Sequence, residues 1–201
     1  IKPVHPNIPQ PPALLLGIGA VKSGKTTLIN NLLLRPREEG FYGQEYFDNV
    51  QIISNTILND PTARFLRKAF DIQDYYNDGM INNLIKNQKS YGEKKDMPFI
   101  ALLLDDILGS NMKRNNATDV IIFKQTNNKQ LMQIAEEFHP PFNDIKTFLQ
   151  IYYKATAGKY NFLYLKVQEG KALRNFEDIL FEDNKMVGAE VEIPEEVNKM
   201  T

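Results

Sequence analysis

The chain has 201 residues, 42% hydrophobic and 24% charged, with 24 basic against 25 acidic side chains and no cysteine. That length predicts one domain of ordinary to large size with a real core, and the composition reads as that of a soluble globular protein. A net charge of −1 excludes coating of nucleic acid by bulk charge, the lack of cysteine excludes disulfides and thiolate metal sites, and no apolar run approaches the roughly 20 residues of a membrane span.

The sequence opens on Ile1 with no basic-plus-apolar leader, which argues against secretion. Pro3, Pro6, Pro9, Pro11 and Pro12 forbid helix over residues 1–12 and favour an extended arm on the surface. Residues 13–18 form a short, almost uniformly apolar run, which predicts a strand covered on both faces of a parallel sheet. The run ends in Gly19-Ala20-Val21-Lys22-Ser23-Gly24-Lys25-Thr26. A helix follows over residues 26–35, where Leu28, Ile29, Leu32 and Leu33 recur at helical spacing until Pro36 stops it. Residues 50–54 predict a second strand, and Asp60-Pro61-Thr62 a turn and cap into a helix through Phe70. A polar stretch rich in Asn and Lys, helix or loop, extends to Asp96. Residues 99–104 predict a third strand ending in Asp105-Asp106, and residues 120–123 a fourth, after Arg114-Asn115-Asn116-Ala117-Thr118. Beyond His139-Pro140-Pro141-Phe142, the aromatic-rich residues 161–167 predict another strand, and the acidic tail from Glu190 reads as peripheral. Strands alternating with helices predict an α/β fold with a mainly parallel sheet flanked by helices: an arm over 1–12, a domain over 13–189 and a tail over 190–201.

Strand, Gly-x4-Gly-Lys-Thr, then helix is the context of the phosphate-binding P-loop of nucleoside triphosphatases. Glycines let the backbone fold tightly, so that several N–H groups and the helix N-terminus face the anion. Gly19, Ala20, Val21, Lys22, Ser23, Gly24, Lys25, Thr26 and Thr27 are the expected nucleotide-binding residues, with ATP as ligand. Lys25 is expected on the β- and γ-phosphates and the Thr26 hydroxyl on Mg²⁺. Lys22 has two readings, phosphate contact or solvent.

A buried strand that ends in two carboxylates delivers them to the C-terminal edge of a parallel sheet, where ligands of open α/β folds bind. Asp105 is then the second Mg²⁺ ligand, and Asp106 the residue that polarises the attacking water; the bland alternative is that both end a strand and cap a turn. Arg114, in a polar stretch before a strand, either stabilises charge on the γ-phosphate from its own or a neighbouring subunit or is a surface arginine. Ser54 and Asn55 either sense the γ-phosphate or cap the second strand. His5 and His139 lack partners at metal-ligand or catalytic spacing and read as structural. Tyr152, Tyr153 and the tyrosines over 160–164 read as core at strand spacing, with base stacking the sharper alternative.

With these residues in view, the chain resembles the genome-packaging ATPases of large DNA viruses, the poxvirus and giant-virus branch of the FtsK–HerA class. The resemblance spans roughly residues 13–170. It lies in Gly24-Lys25-Thr26-Thr27-Leu28-Ile29, in Val50-Gln51-Ile52-Ile53-Ser54-Asn55-Thr56 with Asn59-Asp60, in the Leu-Leu-Leu-Asp-Asp strand end, and in Arg114-x-Asn116-Ala117-Thr118 before Val120-Ile121-Ile122-Phe123. It implies a RecA/FtsK–HerA-like P-loop fold and an ATP- and Mg²⁺-dependent motor. Such motors assemble as homo-oligomeric rings of about five or six subunits, and drive double-stranded DNA into a preformed capsid at its portal vertex, in the host cytoplasm, the virus factory or the virion. By that likeness Asp105 and Asp106 form the acidic pair of the hydrolysis site, and Arg114 is the arginine near a subunit interface. Such ATPases carry one more strand after the acidic pair, with a polar sensor residue at its end. The residues from Ile107 to Lys113 are too few to hold it, which predicts either that the element is absent or that a stretch is missing near Ser110 and Asn111; the second is favoured.

Two other functions compete. A small-molecule kinase of this size would bring a lid with several arginines, and residues 124–168 hold none. A nucleotide-gated switch or scaffold of the GTPase type would want an Asn-Lys-x-Asp motif, and Asn128-Lys129-Gln130-Leu131 lacks the aspartate.

Overall fold

The computed structural model describes residues 5–20, 22–54, 57, 59–75, 78–92, 97–105 and 117–200. Its first elements in chain order are β1 (Leu15–Ile18), α1 (Lys25–Leu34), β2 (Asn49–Ser54), α2 (Arg64–Ala69), β3 (Ile72–Gln73), α3 (Asp78–Ser90) and β4 (Ile100–Asp105). There follow β5 (Asp119–Phe123), α4 (Asn128–Phe138), α5 (Ile145–Ala155), β6 (Phe162–Lys166), β7 (Lys171–Arg174), β8 (Asp178–Glu182), β9 (Lys185–Met186) and α6 (Glu195–Asn198). The chain divides into two compact units, one of Pro3–Lys25 with Lys113–Thr201, the other of Thr26–Met112.

The first unit is built on a sheet of order β1-β5-β6-β7-β8-β9. Only β1 and β5 pair in parallel; every pairing from β5 to β9 is antiparallel. The α/β class is as expected, but the mainly parallel sheet is corrected to a mixed one in which antiparallel pairs predominate among the described strands. From β6 to β9 the reason is connection length. A parallel crossover needs about a dozen residues or more, and the chain turns from β6 to β7 on Gly170 at φ 60°, and from β8 to β9 on Asp183 and Asn184 at φ 52° and 59°. Two consecutive left-handed residues are the signature of a tight hairpin turn, which can only return the chain antiparallel.

Helices α4 and α5 pack Leu131, Ile134, Ala135, Phe148, Leu149 and Tyr152 against Val120 and Ile122 of β5 and Leu163 and Leu165 of β6. Each starts on a side-chain cap: Asn127 accepts from the N–H groups of Lys129 and Gln130, and Asp144 from that of Thr147. Val197 of α6, from the acidic tail, joins this core at 1% exposure, and Ile8 anchors the proline-rich segment at 2%. Strand β1 differs from expectation. Leu14 and Leu15 are 39% and 36% exposed because β1 is an edge strand, pairing only with β5 among the described residues.

The second unit holds an all-parallel sheet of order β3-β2-β4. Ile52 and Ile53 of β2 are buried, as are Ile57, Ala63 and Leu66. Tyr42, Tyr46, Phe47 and Phe99 form an aromatic cluster with ring centroids 4.9–5.4 Å apart. The polar Asn- and Lys-rich stretch is helix over α3. Among the described residues no helix is long and apolar enough to cross a membrane.

The Asp144 cap gives a pH test. The backbone N–H of Thr147 is the main reason its carboxyl lies below the ordinary carboxylate range, with burial opposing. A carboxylate with a depressed folded pKa stabilises above its unfolded value of about 4, and that contribution disappears as pH falls through the folded value. Asp144→Ala should therefore cost about 1 kcal/mol at pH 7, and the Tm gap from wild type should narrow as pH is lowered toward 3. A gap that ignores pH would show that the ionised cap contributes nothing.

Candidate phosphate-binding site

Strand β1 runs alongside β5 with Ile18 opposite Ile122, so the glycine loop leaves the sheet next to Phe123. A side chain would collide at Gly19, and at Gly24 the backbone conformation excludes one. A Cβ on Gly19 would lie 2.6 Å from Ser23 Oγ and 2.9 Å from Phe123 Cβ. A Cβ on Gly24 would lie 3.4 Å from Phe123 Cε1 and 3.6 Å from Tyr160 Cδ1. Gly24 also has φ +111°, a region closed to most side chains, and Lys22 has φ 64°, with Ser23 between them outside the left-handed region. Left-handed residues alternating in this way make the backbone concavity that binds anions. The turn is closed by Ser23 N–H donating to Ala20 O at 3.2 Å.

Across this loop Lys25 Nζ donates to Gly19 O at 2.8 Å and to Ala20 O at 3.1 Å. Among the described residues the ammonium is held at the loop by neutral carbonyls alone. A phosphate oxygen carries negative charge that a carbonyl lacks, so a bound phosphate would draw the amine off them. Ser23 Oγ is buried with no hydrogen-bond partner among the described residues, a state that costs about 1–3 kcal/mol unless something satisfies it. An anionic ligand bearing several oxygens fits both features. Lys22 lies exposed beside the loop.

Thr26 and Thr27 continue into α1, Thr27 at the surface. The Thr26 hydroxyl lies near enough to the Asp60 carboxylate to help lower its pKa, and that carboxylate accepts Thr62 N–H at 2.8 Å and Thr62 Oγ1–H at 2.7 Å. Burial is the largest single influence on Asp60 and raises its pKa. The bonds from Thr62 and Thr26, with the Arg67 cation, together outweigh it and hold the carboxyl below the ordinary range. Arg67 Nη1 pins the same turn, donating to Ile57 O and Asp60 O at 2.7 Å each. An ionised carboxylate thus lies near the threonine expected to hold Mg²⁺. From sequence, Asp60 was legible only as a helix cap.

Asp105 is the last residue of β4, in register with Ser54 at the C-terminal end of the parallel sheet. Ser54 is fully buried, and its Oγ accepts the Ile57 N–H at 3.0 Å, which is the capping reading. Val21, Asn55, Asp106 and Arg114 lie outside the described residues. Tyr152 and Tyr164 are core residues as expected, Tyr164 on a strand but Tyr152 on helix α5. Tyr152 Oη accepts Gln125 N–H at 2.6 Å, and Tyr164 donates to Asp119. Tyr160 is the exception, 60% exposed beside Gly24. Sequence spacing gave no signal that Phe123 and Tyr160 meet the loop. His139 Nδ1 bonds Ala135 O at 3.1 Å, and His5 Nδ1 accepts Asn7 N–H at 3.2 Å, both local structural roles.

The glycine geometry is testable against an internal control. Gly24→Ala should place about 1–3 kcal/mol of backbone strain in the loop, and Gly19→Ala should force Ser23 or Phe123 to move. Both variants should lower Tm by several degrees and weaken binding of inorganic tripolyphosphate at least tenfold. Gly17→Ala, whose new methyl meets nothing within 4 Å, should change neither. Equal tripolyphosphate binding by all three would contradict the loop's role.

Comparison of the chain with protein-family models, with curated proteins and with solved structures finds no match.

Proposed function

We propose that this chain is a P-loop ATPase of the FtsK–HerA packaging type, a motor that hydrolyses ATP and drives double-stranded DNA into a preformed capsid as a homo-oligomeric ring. The observation that carries the nucleotide part is the loop itself. Its Lys25 amine rests on the Gly19 and Ala20 carbonyls, and its left-handed turns sit at Lys22 and Gly24. The motor part rests on the combination of residues around Asp105-Asp106 and Arg114-x-Asn116-Ala117-Thr118.

In this reading the loop N–H groups and Lys25 bind the β- and γ-phosphates and exclude water from them. Thr26 and Asp105 would hold Mg²⁺, which supplies charge neutralisation on the phosphates when bound. Asp60, ionised and near the Thr26 hydroxyl, would help to orient it. Asp106 orients and deprotonates the attacking water, and Arg114 of a neighbouring subunit meets the charge that develops on the γ-phosphate.

The test is steady-state ATP hydrolysis with and without linear duplex DNA. Turnover should rise with DNA and fall at least about a hundredfold in Lys25→Ala and Asp106→Asn, the scale of losing one charge-stabilising group. DNA-indifferent turnover, with phosphate passed to a nucleoside or nucleotide, would replace the motor by a kinase. Tight ATP binding without hydrolysis at any protein concentration would replace it by a nucleotide-gated scaffold.

A further inference from the structure

We infer that Tyr160 is the platform on which the base of the bound nucleoside triphosphate stacks, an inference that rests on the glycine loop being a triphosphate site. The first observation is exposure. Tyr152 and Tyr164 bury their rings to 1% and 0%, whereas Tyr160 leaves 60% uncovered. Among the described residues nothing hydrogen-bonds its hydroxyl, so neither core packing nor a polar anchor explains an aromatic here.

The second observation is backbone strain. Asn161 N–H donates to Gly158 O at 3.3 Å, closing a four-residue turn in which Tyr160 is third. Its φ is 66°, in a slot that glycine and asparagine fill at low cost and a bulky side chain does not. The turn is locked from outside. Asn161 Nδ2 would lie 2.5 Å from a Cβ on Gly158. Asn161 Oδ1 accepts Asn175 Nδ2–H at 3.4 Å, and Asn175 Oδ1 accepts Phe162 N–H at 3.3 Å. A strained turn therefore holds an uncovered ring in a fixed place.

The third observation is what the ring stands beside. Tyr160 Cδ1 lies 3.6 Å from the point where a Gly24 Cβ would be, against the loop assigned to the phosphates. Lys159 Nζ stands 4.9 Å from the ring centroid, adding positive charge at the same place. A ligand that presents a flat π-face tethered to a polyanion satisfies ring, cation and loop together, and a nucleoside triphosphate is that ligand. Every base has a π-face, so Tyr160 supplies affinity rather than base choice, and ATP and GTP should depend on it alike.

The experiment is calorimetric titration of the wild type, Tyr160→Ala, Tyr160→Phe and Tyr160→Gly with ATP, GTP and inorganic tripolyphosphate, each with Mg²⁺, alongside Tm. Tyr160→Ala should weaken ATP and GTP by about tenfold, within the ~5- to 150-fold expected of one base-stacking ring, and leave tripolyphosphate unchanged. Tyr160→Phe should bind as wild type does. Tyr160→Gly should lose nucleotide affinity like the alanine variant while its Tm stays level or rises, because glycine relieves the turn; a purely structural tyrosine would lower Tm instead. Wild-type binding of ATP that Tyr160→Ala leaves intact, or a loss shared equally by tripolyphosphate, overturns the stacking role alone. A wild type that binds neither ATP nor tripolyphosphate overturns the triphosphate site and the stacking role with it.

Discussion

The parallel pairing of β1 with β5 is the constraint from which the candidate site follows. With Ile18 fixed opposite Ile122, the chain must leave β1 beside Phe123, and the Phe123 side chain fills the space next to both Gly19 and Gly24. A side chain at either glycine would enter that space, so the loop is tight because its neighbour is large. Thr118 reinforces the pairing from the other end of the strands: its Oγ1 accepts the Leu14 N–H at 3.0 Å, and its own N–H donates to Leu14 O at 3.1 Å. Behind β5, the apolar faces of α4 and α5 make the pair rigid. The loop's shape is thus set by the sheet at Gly19 and by glycine's conformational freedom at Gly24.

On that support the chemistry is one of provisional partners. Lys25 sits on two backbone carbonyls that a phosphate can replace with charged acceptors, and Ser23 Oγ lacks a partner among the described residues. The loop is therefore formed in advance of a ligand. In the other unit, Asp60 lies near Thr26, its carboxylate fixed by Thr62 and by the turn that Arg67 pins. Preorganisation of this kind lets binding energy go to the ligand instead of to ordering the chain.

Much of this was legible in sequence, for reasons that can be named. β1, β2, β4, β5 and β6 are short apolar runs, and α1 carries leucines at helical spacing, so each element falls within one or two residues of its expected place. Neither α4 nor α5 is among the sequence expectations, although Leu131, Ile134, Ala135 and Phe138 recur with helical period behind the Asn127 cap. The sheet's direction failed at the hairpins. Gly170 and Asp183-Asn184 are turn residues, and reading them as such would have turned β6 to β9 antiparallel. Asp60 and Tyr160 could not be found from spacing at all, because what distinguishes them is a contact across more than thirty residues of chain, Asp60 to Thr26 and Tyr160 to Gly24. β1 was expected to be covered on both faces because its run is apolar, but composition reports a preference for burial and does not say whether a neighbour is present to provide it.

The measurement that bears most directly on this account is a crystal structure of the protein with Mg²⁺ and a non-hydrolysable ATP analogue. The account predicts the triphosphate seated on the 19–26 loop, with Lys25 Nζ moved from the Gly19 and Ala20 carbonyls to phosphate oxygens and Phe123 unmoved beneath the two glycines. Nucleotide bound elsewhere, or bound at the loop with Lys25 still on its two carbonyls, would contradict it.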